Sequence, residues 1–589
     1  MLKRTHTCGE LRKNNINETV VLNGWVRKRR DLGSLIFIDL RDRYGVTQVI
    51  FDPAVCQETH NLAKNLGREF VIAVEGKVNS RGEQINADMP TGEIEILASK
   101  LEILNTSETP PFPLEDEDES DDTRLAYRYL DLRRPHLQKA MFIRHKMSIA
   151  ARNFLDSQGF LEIETPILAK STPEGARDYL VPSRVHPGDF YALPQSPQLL
   201  KQLLMVAGAD KYFQICRCFR DEDLRADRQP EFTQIDLEMS FADQNDIFKI
   251  TEGFVSAAMN AAGIDVNTPF QKISYDEAMD KYGSDKPDLR FDLHFVDISN
   301  LLTETDFNAF NSTLEAGGVI KALRAPNASS LSRKQIDKLG DIARAAGAKG
   351  LLTVKYLPEN KKQSPLTKFL SDAQWENITN ATSANENDVL FIVADMSATA
   401  NSALGNVRNE LAKMLNLIPQ NSFSFLWVTD FPLFAFDDDE QRWTSEHHPF
   451  TSPHPDDIEL IESSPEKVRS CSYDLVINGY ETASGSVRIH DSALQKRIFN
   501  LLKLSENEIN ERFGFFLKAL KFGAPPHAGL AIGLDRLVML ALGRESLRDV
   551  IAFPKTQKAT DLMTEAPTPV NENQLNELFI AVKKQNVEA

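Results

Sequence analysis

The chain has 589 residues with a formal net charge of −18, and 42% of its residues are hydrophobic. A chain of this length predicts several domains, each able to bury its own core. The sequence contains no run of about 18 apolar residues and opens without a basic-then-apolar signal pattern, so we expect a cytosolic protein without membrane spans. Its five scattered cysteines are typical of reduced thiols and argue against a disulfide framework.

Residues 1–107 predict a small β-barrel. Strand-like runs are interrupted once by a helix-compatible segment, 54–66, and five strands with a helix in that position favour an OB fold. The runs cover 20–26, 35–40, 47–51, 70–78 and 94–104. Residues 1–45 hold ten Lys or Arg against five Asp or Glu, so this end is basic within an acidic protein. A basic barrel with an aromatic strand residue, Phe37, fits RNA binding, although Phe37 buried in the barrel core fits the pattern equally well.

Residues 108–135 read as an acidic linker or hinge. Seven of the eight residues from Glu115 to Asp122 are acidic, and they follow Thr109-Pro110-Pro111. Such a charge run predicts a solvated connection at a domain boundary.

Residues 136–290 predict the first part of a catalytic domain. One amphipathic helix lies between His136 and Gly159. From Glu231 to Ser240 apolar residues alternate with Phe232, Gln234, Asp236 and Glu238, and Arg220 and Arg228 precede that strand. An aromatic plane, carboxylates and arginines together suit a nucleotide beside an amino acid. A plain hairpin with a solvated polar face is the alternative.

The Cys216-Arg217-Cys218 stretch raises the question of a metal site. Alternate strand residues without a nearby histidine or second cysteine pair favour inert thiols over metal ligation.

Residues 291–422 predict an inserted α+β domain. Amphipathic helices are indicated around 336–346 and 404–414, and strands at 352–356 and 389–394. We find no clustered catalytic set in this segment and expect a docking or structural role.

Residues 423–589 predict the second part of the catalytic domain with a C-terminal extension. Asp474 and Glu481 are hard oxygen ligands suited to Mg²⁺, and Arg488 follows a glycine-bearing bend. Gly533 lies where a strand turns into a helix, three residues before Arg536. Solvent-exposed acids and a surface arginine are the alternative interpretation. The adjacent His447 and His448 are a poor zinc prediction, because no carboxylate stands at ligand spacing.

These segments resemble class II aminoacyl-tRNA synthetases, specifically the bacterial aspartyl enzymes. FRDED with RQPEFTQID resembles the second signature motif, GFLEIETPIL with Pro166 the first, and GLAIGLDRLVML the third. The match runs in order from GWV and RRDLGSLIFIDLRD to IAFPKT and LMTEAP. It implies a multidomain α+β protein with an OB-fold barrel, an antiparallel-sheet catalytic domain, and an insertion domain shared with a tRNA amidotransferase subunit.

The resemblance also implies the function and the site residues. The expected reaction joins L-aspartate to tRNA-Asp in two steps, with ATP as substrate and Mg²⁺ as cofactor. Arg220 and Arg536 are the expected catalytic residues. The aspartate-binding set is Glu174, Ser196, Gln198, Lys201, Arg220, Asp236, His447 and Arg488. The ATP-binding set is Arg220, Asp221, Glu222, Gln229, Phe232, Glu481, Gly533, Leu534, Asp535 and Arg536. The anticodon-binding set is Arg30, Phe37 and Gln48, and the metal ligands are Asp474 and Glu481.

Two rival functions and two open points remain. An asparaginyl enzyme shares the barrel and motifs, but the insertion domain and the Lys201 and Arg488 pair speak against it. A non-catalytic RNA-binding relative is improbable, because Arg220, Asp236, Glu481, Arg488 and Arg536 are all retained. Charging of tRNA-Asn as well stays open, since Leu32 fits the strict type while residues 81–84 depart from it. The homodimer expected from the first motif rests mainly on the resemblance.

Overall fold

The computed structural model describes residues 1–115, 119–172, 176–223, 227–359 and 361–583. The chain forms two compact units. The first comprises Met1–Phe142 with the short pieces Ala552–Thr556 and Thr560–Pro567, and the second comprises nearly all of the remainder from Ile143 onward. In the described part of the chain, no helix has the length and apolar character needed to cross a membrane.

The first unit contains the predicted OB-fold barrel. Its elements are β1 (Thr19–Asp31), β2 (Ile36–Asp42), β3 (Gly45–Phe51), α1 (Gln57–Ala63), β4 (Val71–Ser80) and β5 (Ile94–Asn105). The strands close in the order β1-β2-β3-β5-β4, and the apolar face of each strand fills the barrel core. Each of the five strands lies where the sequence pattern predicts one, and the strands close into a barrel. The predicted barrel is therefore confirmed.

The acidic segment is only partly a solvated linker. Residues 120–122 are exposed, but two short helices follow, α2 (Asp121–Ala126) and α3 (Arg128–Asp131). Arg128, Asp131 and Arg134 are buried, and Arg128 donates to Asp131 at 2.6 Å. The residues that follow the acidic run therefore do not all remain in water, because paired charges bury there. The assignment of 108–135 as an acidic linker or hinge stays a prediction.

The catalytic domain begins within the long helix α4 (Pro135–Ser157). The elements after it are β6 (Leu161–Glu162), β7 (Leu180–Pro182), β8 (Phe190–Ala192), α5 (Gln198–Val206), β9 (Lys211–Phe219), β10 (Glu231–Ser240), α6 (Gln244–Ala261), β11 (Gln271–Ser274) and α7 (Tyr275–Tyr282).

The insertion domain has its own five-stranded sheet, in the order β12-β13-β16-β14-β15. Two separate apolar cores lie in this domain, one including α9 and α11 and the other including α8 and α10. Its elements are β12 (Phe295–Asp297), α8 (Asn308–Glu315), β13 (Val319–Ala325), α9 (Arg333–Ala345), β14 (Leu352–Tyr356), β15 (Lys362–Gln363), α10 (Asp372–Thr382), β16 (Val389–Asp395) and α11 (Ser397–Met414).

The remaining elements complete the catalytic domain. They are β17 (Phe425–Thr429), β18 (Phe434–Asp437), β19 (Arg442–Ser445), β20 (Ser472–Ile477), β21 (Tyr480–Val487), α12 (Ser492–Leu501), α13 (Glu506–Leu520), β22 (His527–Gly533), α14 (Leu534–Ala541) and α15 (Glu572–Glu577). An eight-stranded sheet runs β11-β17-β20-β21-β22-β10-β9-β6. Its central pairs are antiparallel, so segments far apart in sequence become neighbours across one face.

Candidate active site

A cavity of about 380 Å³ opens on the central strands of this sheet. Most of the residues predicted from sequence line it, because β21, β22, β10 and β9 are consecutive in the sheet. The predicted lining residues are Ser196, Gln198, Lys201, Arg220, Glu222, Gln229, Phe232, Asp236, His447, Glu481, Arg488, Gly533, Asp535 and Arg536.

The polar face of β10 is buried against cations. Asp236 and Glu238 have no exposed surface, which excludes the solvated-hairpin interpretation. Lys201 of α5 donates to Asp236 at 2.8 Å and lies 3.3 Å from Glu238. Arg488 donates to Glu238 through Nε at 2.9 Å and through Nη2 at 3.2 Å. Two acids and two bases thus form one buried network at the closed end of the cavity.

A glycine on the neighbouring strand makes room for this network. A Cβ on Gly529 of β22 would stand 1.7 Å from the Glu238 carboxylate. Glu238 is paired with Gly529 in the strand register, so no larger residue fits there while Glu238 holds Arg488.

The pKa values of the two buried carboxylates are shifted in opposite directions. Burial raises the pKa of Asp236 to about 6, even though Lys201 acts in the opposite direction. Burial acts likewise on Glu238, but the charges of Arg488 and Lys201 outweigh it and lower the pKa of that group. Asp236 Oδ1 has no hydrogen-bond partner in the described part of the protein. Keeping Asp236 ionised therefore costs the folded protein free energy.

This cost predicts a pH-dependent stability difference between the wild type and Asp236→Asn. The folded protein holds the Asp236 proton up to about pH 6, whereas an unfolded chain releases it near about pH 3.9. Between those values the folded state binds more protons, so wild-type stability falls, relative to the variant, as pH rises. The full difference corresponds to about 3 kcal/mol. Melting temperatures of both proteins from pH 4.5 to 7.5 test this, and parallel profiles would contradict it.

The remaining edge of Arg488 is held by neutral groups. Its Nη1 donates to Ser486 Oγ at 2.6 Å and lies 2.8 Å from His448 Nε2. Burial and the Arg488 charge keep the pKa of His448 well below its ordinary value, so His448 is neutral and accepts this hydrogen bond.

Arginines and an aromatic ring form the other end of the cavity. The Arg220 guanidinium lies 5.1 Å from the centre of the Phe232 ring, a cation–π arrangement. Arg536 donates to the Glu481 carbonyl and lies 3.2 Å from Asp227. The Nε atoms of Arg220 and Arg536 are buried without a partner in the part of the chain that is described. Such unpaired buried donors favour an anionic ligand here.

Two residues of the third motif contribute differently. A Cβ on Gly533 would meet only ordinary contacts, at 3.7 Å and beyond, so the protein itself does not require glycine there. Asp535 has both oxygens occupied, one by Arg144 and one by the backbone amide of Thr233 at 2.7 Å. Its side chain therefore fastens α14 to β10 instead of facing a ligand freely.

Two further carboxylates lie beside the arginine end. The Asp474 charge and burial raise the pKa of Glu481. Burial lowers the pKa of His447, but the negative charge of Asp474, 3.8 Å from His447 Nε2, outweighs it and raises that pKa. Asp474 Oδ1 is buried without a hydrogen-bond partner within the described ranges. Across those ranges no group of three or more His, Cys, Asp or Glu forms a metal cluster, so this pair is a two-carboxylate site at most.

Four predicted residues stand apart from the cavity lining or outside the description. Asp221 pairs with Arg177 at 3.7 Å, Leu534 is buried, and Asp474 lies behind the lining. Glu174 lies outside the described residues. Their binding roles stay predictions.

The predicted sets of binding residues omitted several residues in or beside the cavity. Glu238 was named on the polar face of β10 but given no binding role, although it holds Arg488 and lies beside Lys201. Ser486 and Asp227 carried no sequence signal, because their importance comes from Arg488 and Arg536 lying against them. Cys216 and Cys218 form no disulfide, and their assignment as inert thiols stays a prediction.

The barrel brings its three predicted residues together. Arg30 donates to Gln48 at 3.1 Å and to Asp39 at 2.6 Å, and its guanidinium lies 6.0 Å from the centre of the Phe37 ring. Strand register sets Arg30 opposite Phe37. Phe37 is half-buried and lies outside the barrel core, so the core alternative does not hold.

Comparisons with protein families agree with these two regions. The family of class II tRNA synthetases (D, K and N) matches residues 120–557, and the OB-fold nucleic acid binding domain matches residues 20–104.

Full-length relatives and solved structures extend the comparison. An aspartate–tRNA(Asp/Asn) ligase of Caldanaerobacter subterraneus subsp. tengcongensis is 52% identical, over 99% of this chain and 98% of its own length. An aspartate–tRNA ligase of Geobacillus kaustophilus is 53% identical over 99% of each. Asparaginyl-tRNA synthetase from Pyrococcus horikoshii shares the fold, with a TM-score of 0.61 and 20% identity over 94% of this chain and 99% of its own. The chain belongs to the class II tRNA synthetases, within the group of bacterial aspartate–tRNA ligases.

Proposed function

We propose that this protein joins L-aspartate to tRNA-Asp at the expense of ATP. The observation that carries the proposal is the buried network of Lys201, Asp236, Glu238 and Arg488 at one end of a cavity whose other end holds Arg220, Phe232 and Arg536. One end suits a small dicarboxylate and the other suits a purine with phosphates. Class II membership and the aspartate-ligase relatives support the same reaction.

In the first step the aspartate α-carboxylate attacks the α-phosphorus of ATP, which gives aspartyl-adenylate and releases pyrophosphate. The nucleophile is already ionised, so the protein need supply no base. Arg220 would hold the α-phosphate against Phe232 and the adenine, and Arg536 would neutralise charge that develops on the phosphates. In the second step the terminal ribose hydroxyl of the tRNA attacks the aspartyl carbonyl and AMP leaves.

The carboxylates Asp474 and Glu481 would hold Mg²⁺. The residues fit the ion, because the charge of Asp474 raises the pKa of Glu481 and buried Asp474 Oδ1 lacks a hydrogen-bond partner among the described residues. Mg²⁺ commonly uses one or two carboxylates and completes its shell with phosphates and water. When bound, it would screen the charge on the ATP phosphates.

Selection of aspartate over asparagine would come from the two cations. Arg488 donates through Nε and Nη2 to Glu238. Its Nη1 contacts only the neutral groups Ser486 and His448, so a substrate carboxylate would take the place of one of them there. Neutral His448 keeps the Nη1 edge oriented without adding charge. An amide carries no negative charge, so it would not form the charge-assisted hydrogen bond that a carboxylate forms with Arg488.

The barrel would read the anticodon through Arg30, Phe37 and Gln48. Relatives of both types, aspartate–tRNA and aspartate–tRNA(Asp/Asn) ligases, share about half of this sequence. A charging experiment therefore decides which tRNAs this protein accepts. Charging purified tRNA-Asp and tRNA-Asn with labelled aspartate tests the proposal. Charging of tRNA-Asp supports it, and charging of neither tRNA rejects it.

Replacing Phe37 with Ala tests the barrel separately. If its ring stacks on an anticodon base, tRNA charging efficiency is expected to fall by about 1 to 3 kcal/mol. Aspartate-dependent pyrophosphate exchange without tRNA is expected to stay unchanged, as is thermal unfolding, because Phe37 lies outside the barrel core. A lower melting temperature with a parallel loss of tRNA binding would reject direct stacking.

We infer further that the protein is a cytoplasmic homodimer. Helix α4 and the segment after it expose the apolar side chains of Ile149, Leu161, Ile167 and Leu168. Ile167, for example, is 50% exposed. A row of exposed apolar residues of this kind favours a protein interface, and sedimentation at micromolar concentration tests it.

A further inference from the structure

One loop joins the insertion domain to the phosphate end of the cavity. This connector loop, residues 283–294, lies between α7 and β12. It carries Lys286, whose ammonium lies 3.8 Å from the Glu481 carboxylate and 3.4 Å from Asp285. The Lys286 side chain is 45% exposed. An exposed ammonium beside Glu481 is a mobile point charge next to the proposed phosphate site.

Arg408 of α11, in the insertion domain, holds this loop by hydrogen bonds. Its buried guanidinium donates to the carbonyls of Leu293 at 2.5 Å, Asp288 at 2.7 Å and Phe291 at 3.3 Å, and lies 4.1 Å from the centre of the Phe291 ring. Burial lowers the pKa of Arg408 to about 10, so the group is charged at neutral pH. Three carbonyls bound to one fixed cation hold the loop to α11.

A second contact fixes α7 to the same domain. Lys321 of β13 is buried and donates to Asn401 of α11 at 2.8 Å and to Asp280 of α7 at 3.1 Å. Both ends of the turn that leads to Lys286 are therefore attached to the insertion domain.

The catalytic sheet holds the other side of the loop. Gly479, with φ +82°, forms the turn between β20 and β21, and a Cβ there would stand 3.0 Å from Asp288 Cβ. Asp288 is fixed in turn by Arg290, which donates to both of its oxygens. The turn that packs on Asp288 thus joins the strands that carry Asp474 and Glu481.

We propose that Lys286 binds the pyrophosphate portion of ATP, and that the insertion domain sets its position through the connector loop. The inference rests on the proposed function. Arg220 would hold the α-phosphate, and Arg536 would meet part of the charge on the phosphates. Lys286 would add a cation from the connector loop on the side of the leaving pyrophosphate. A small shift of α11 moves the carbonyls that Arg408 holds, and with them the ammonium of Lys286.

Binding of ATP and AMP by Lys286 variants tests whether Lys286 binds the pyrophosphate portion of ATP. Isothermal calorimetry is expected to show about 10-fold or greater loss of ATP and pyrophosphate affinity in Lys286→Ala, because one charged contact is removed. AMP lacks the β- and γ-phosphates, so its affinity is expected to stay unchanged. Lys286→Arg should recover most of the ATP affinity. Lys281→Ala is the matched control, since Lys281 is an exposed lysine paired with Glu277 on α7.

Equal losses for ATP and AMP, or an equal loss in Lys281→Ala, would overturn the phosphate role. A wild type that gives no aspartate-dependent pyrophosphate exchange would instead reject the proposed function, so the two failures are distinguishable.

Variants that weaken the contacts between the insertion domain and the connector loop test whether this domain sets the position of Lys286. Arg408→Gln and the milder Asp280→Asn, which removes an exposed partner of Lys321, are expected to raise the KM for ATP about 2- to 30-fold. The KM for aspartate and the affinity for AMP are expected to stay unchanged. Melting curves identify any variant that fails to fold, and Asp280→Asn then decides the outcome. Wild-type ATP kinetics in a folded variant would overturn the coupling.

Discussion

Aspartate-dependent pyrophosphate exchange is expected to disappear when Arg488 is replaced by Leu, while ATP still binds. Arg488 is buried, and its Nη1 edge is the cation that the proposed site offers to the substrate side chain. Removing one partner of a buried charge pair typically costs about 2 to 5 kcal/mol or more. The loss applies twice here, because Glu238 also loses the partner that holds both of its oxygens. Exchange kinetics and calorimetric ATP binding measure the two parts of this prediction.

The control separates lost recognition from lost folding. Lys201 remains 3.3 Å from Glu238 in the variant, so the domain retains one counter-charge. Arg488→Lys keeps the charge but loses the planar fork, and we expect it to fold and to exchange poorly. Near-normal exchange with aspartate in folded Arg488→Leu would refute the substrate assignment.

Arg220→Ala is expected to slow adenylate formation by about 100- to 1,000-fold. Arg220 lies over Phe232 with its Nε buried and without a partner in the described part of the chain, which suits a transferring phosphate. Its removal withdraws a charge that matters most in the transition state, so kcat falls more than the affinity for ATP. Single-turnover quenched-flow measurements give the rate directly.

Arg217→Ala is the matched control for Arg220. Arg217 lies in β9, three residues before Arg220. Its side chain is 43% exposed and pairs with Glu231 outside the cavity. If both variants form adenylate at the wild-type rate, the phosphate role belongs to another residue.

Local patterns predicted the elements well and the contacts between them poorly. The alternation from Phe232 to Glu238 identified a polar strand face, because side chains alternate along any strand. It did not reveal that Lys201 and Arg488, far away in sequence, neutralise that face, since this follows from the strand order of the sheet. Glu238 was therefore left out of the predicted site.

The acidic linker shows the same limit, namely that local sequence patterns do not reveal which side chains come into contact. A run of acids indicates solvation, but the sequence does not reveal that Arg128 and Arg134 bury against Asp131. Phe37 was ambiguous for a related reason. Its strand pattern allows either face, and only the pairing register, which sets it opposite Arg30, decides.

The measurement that tests the central claim most directly is pyrophosphate exchange into ATP with aspartate, asparagine and lysine compared side by side. Lys201 and Arg488 at one end of the cavity predict exchange with aspartate and essentially none with the amide or the base. Dominant exchange with asparagine or lysine would contradict the assignment of Lys201 and Arg488 to a substrate carboxylate, and absence of exchange with all three would contradict catalysis altogether.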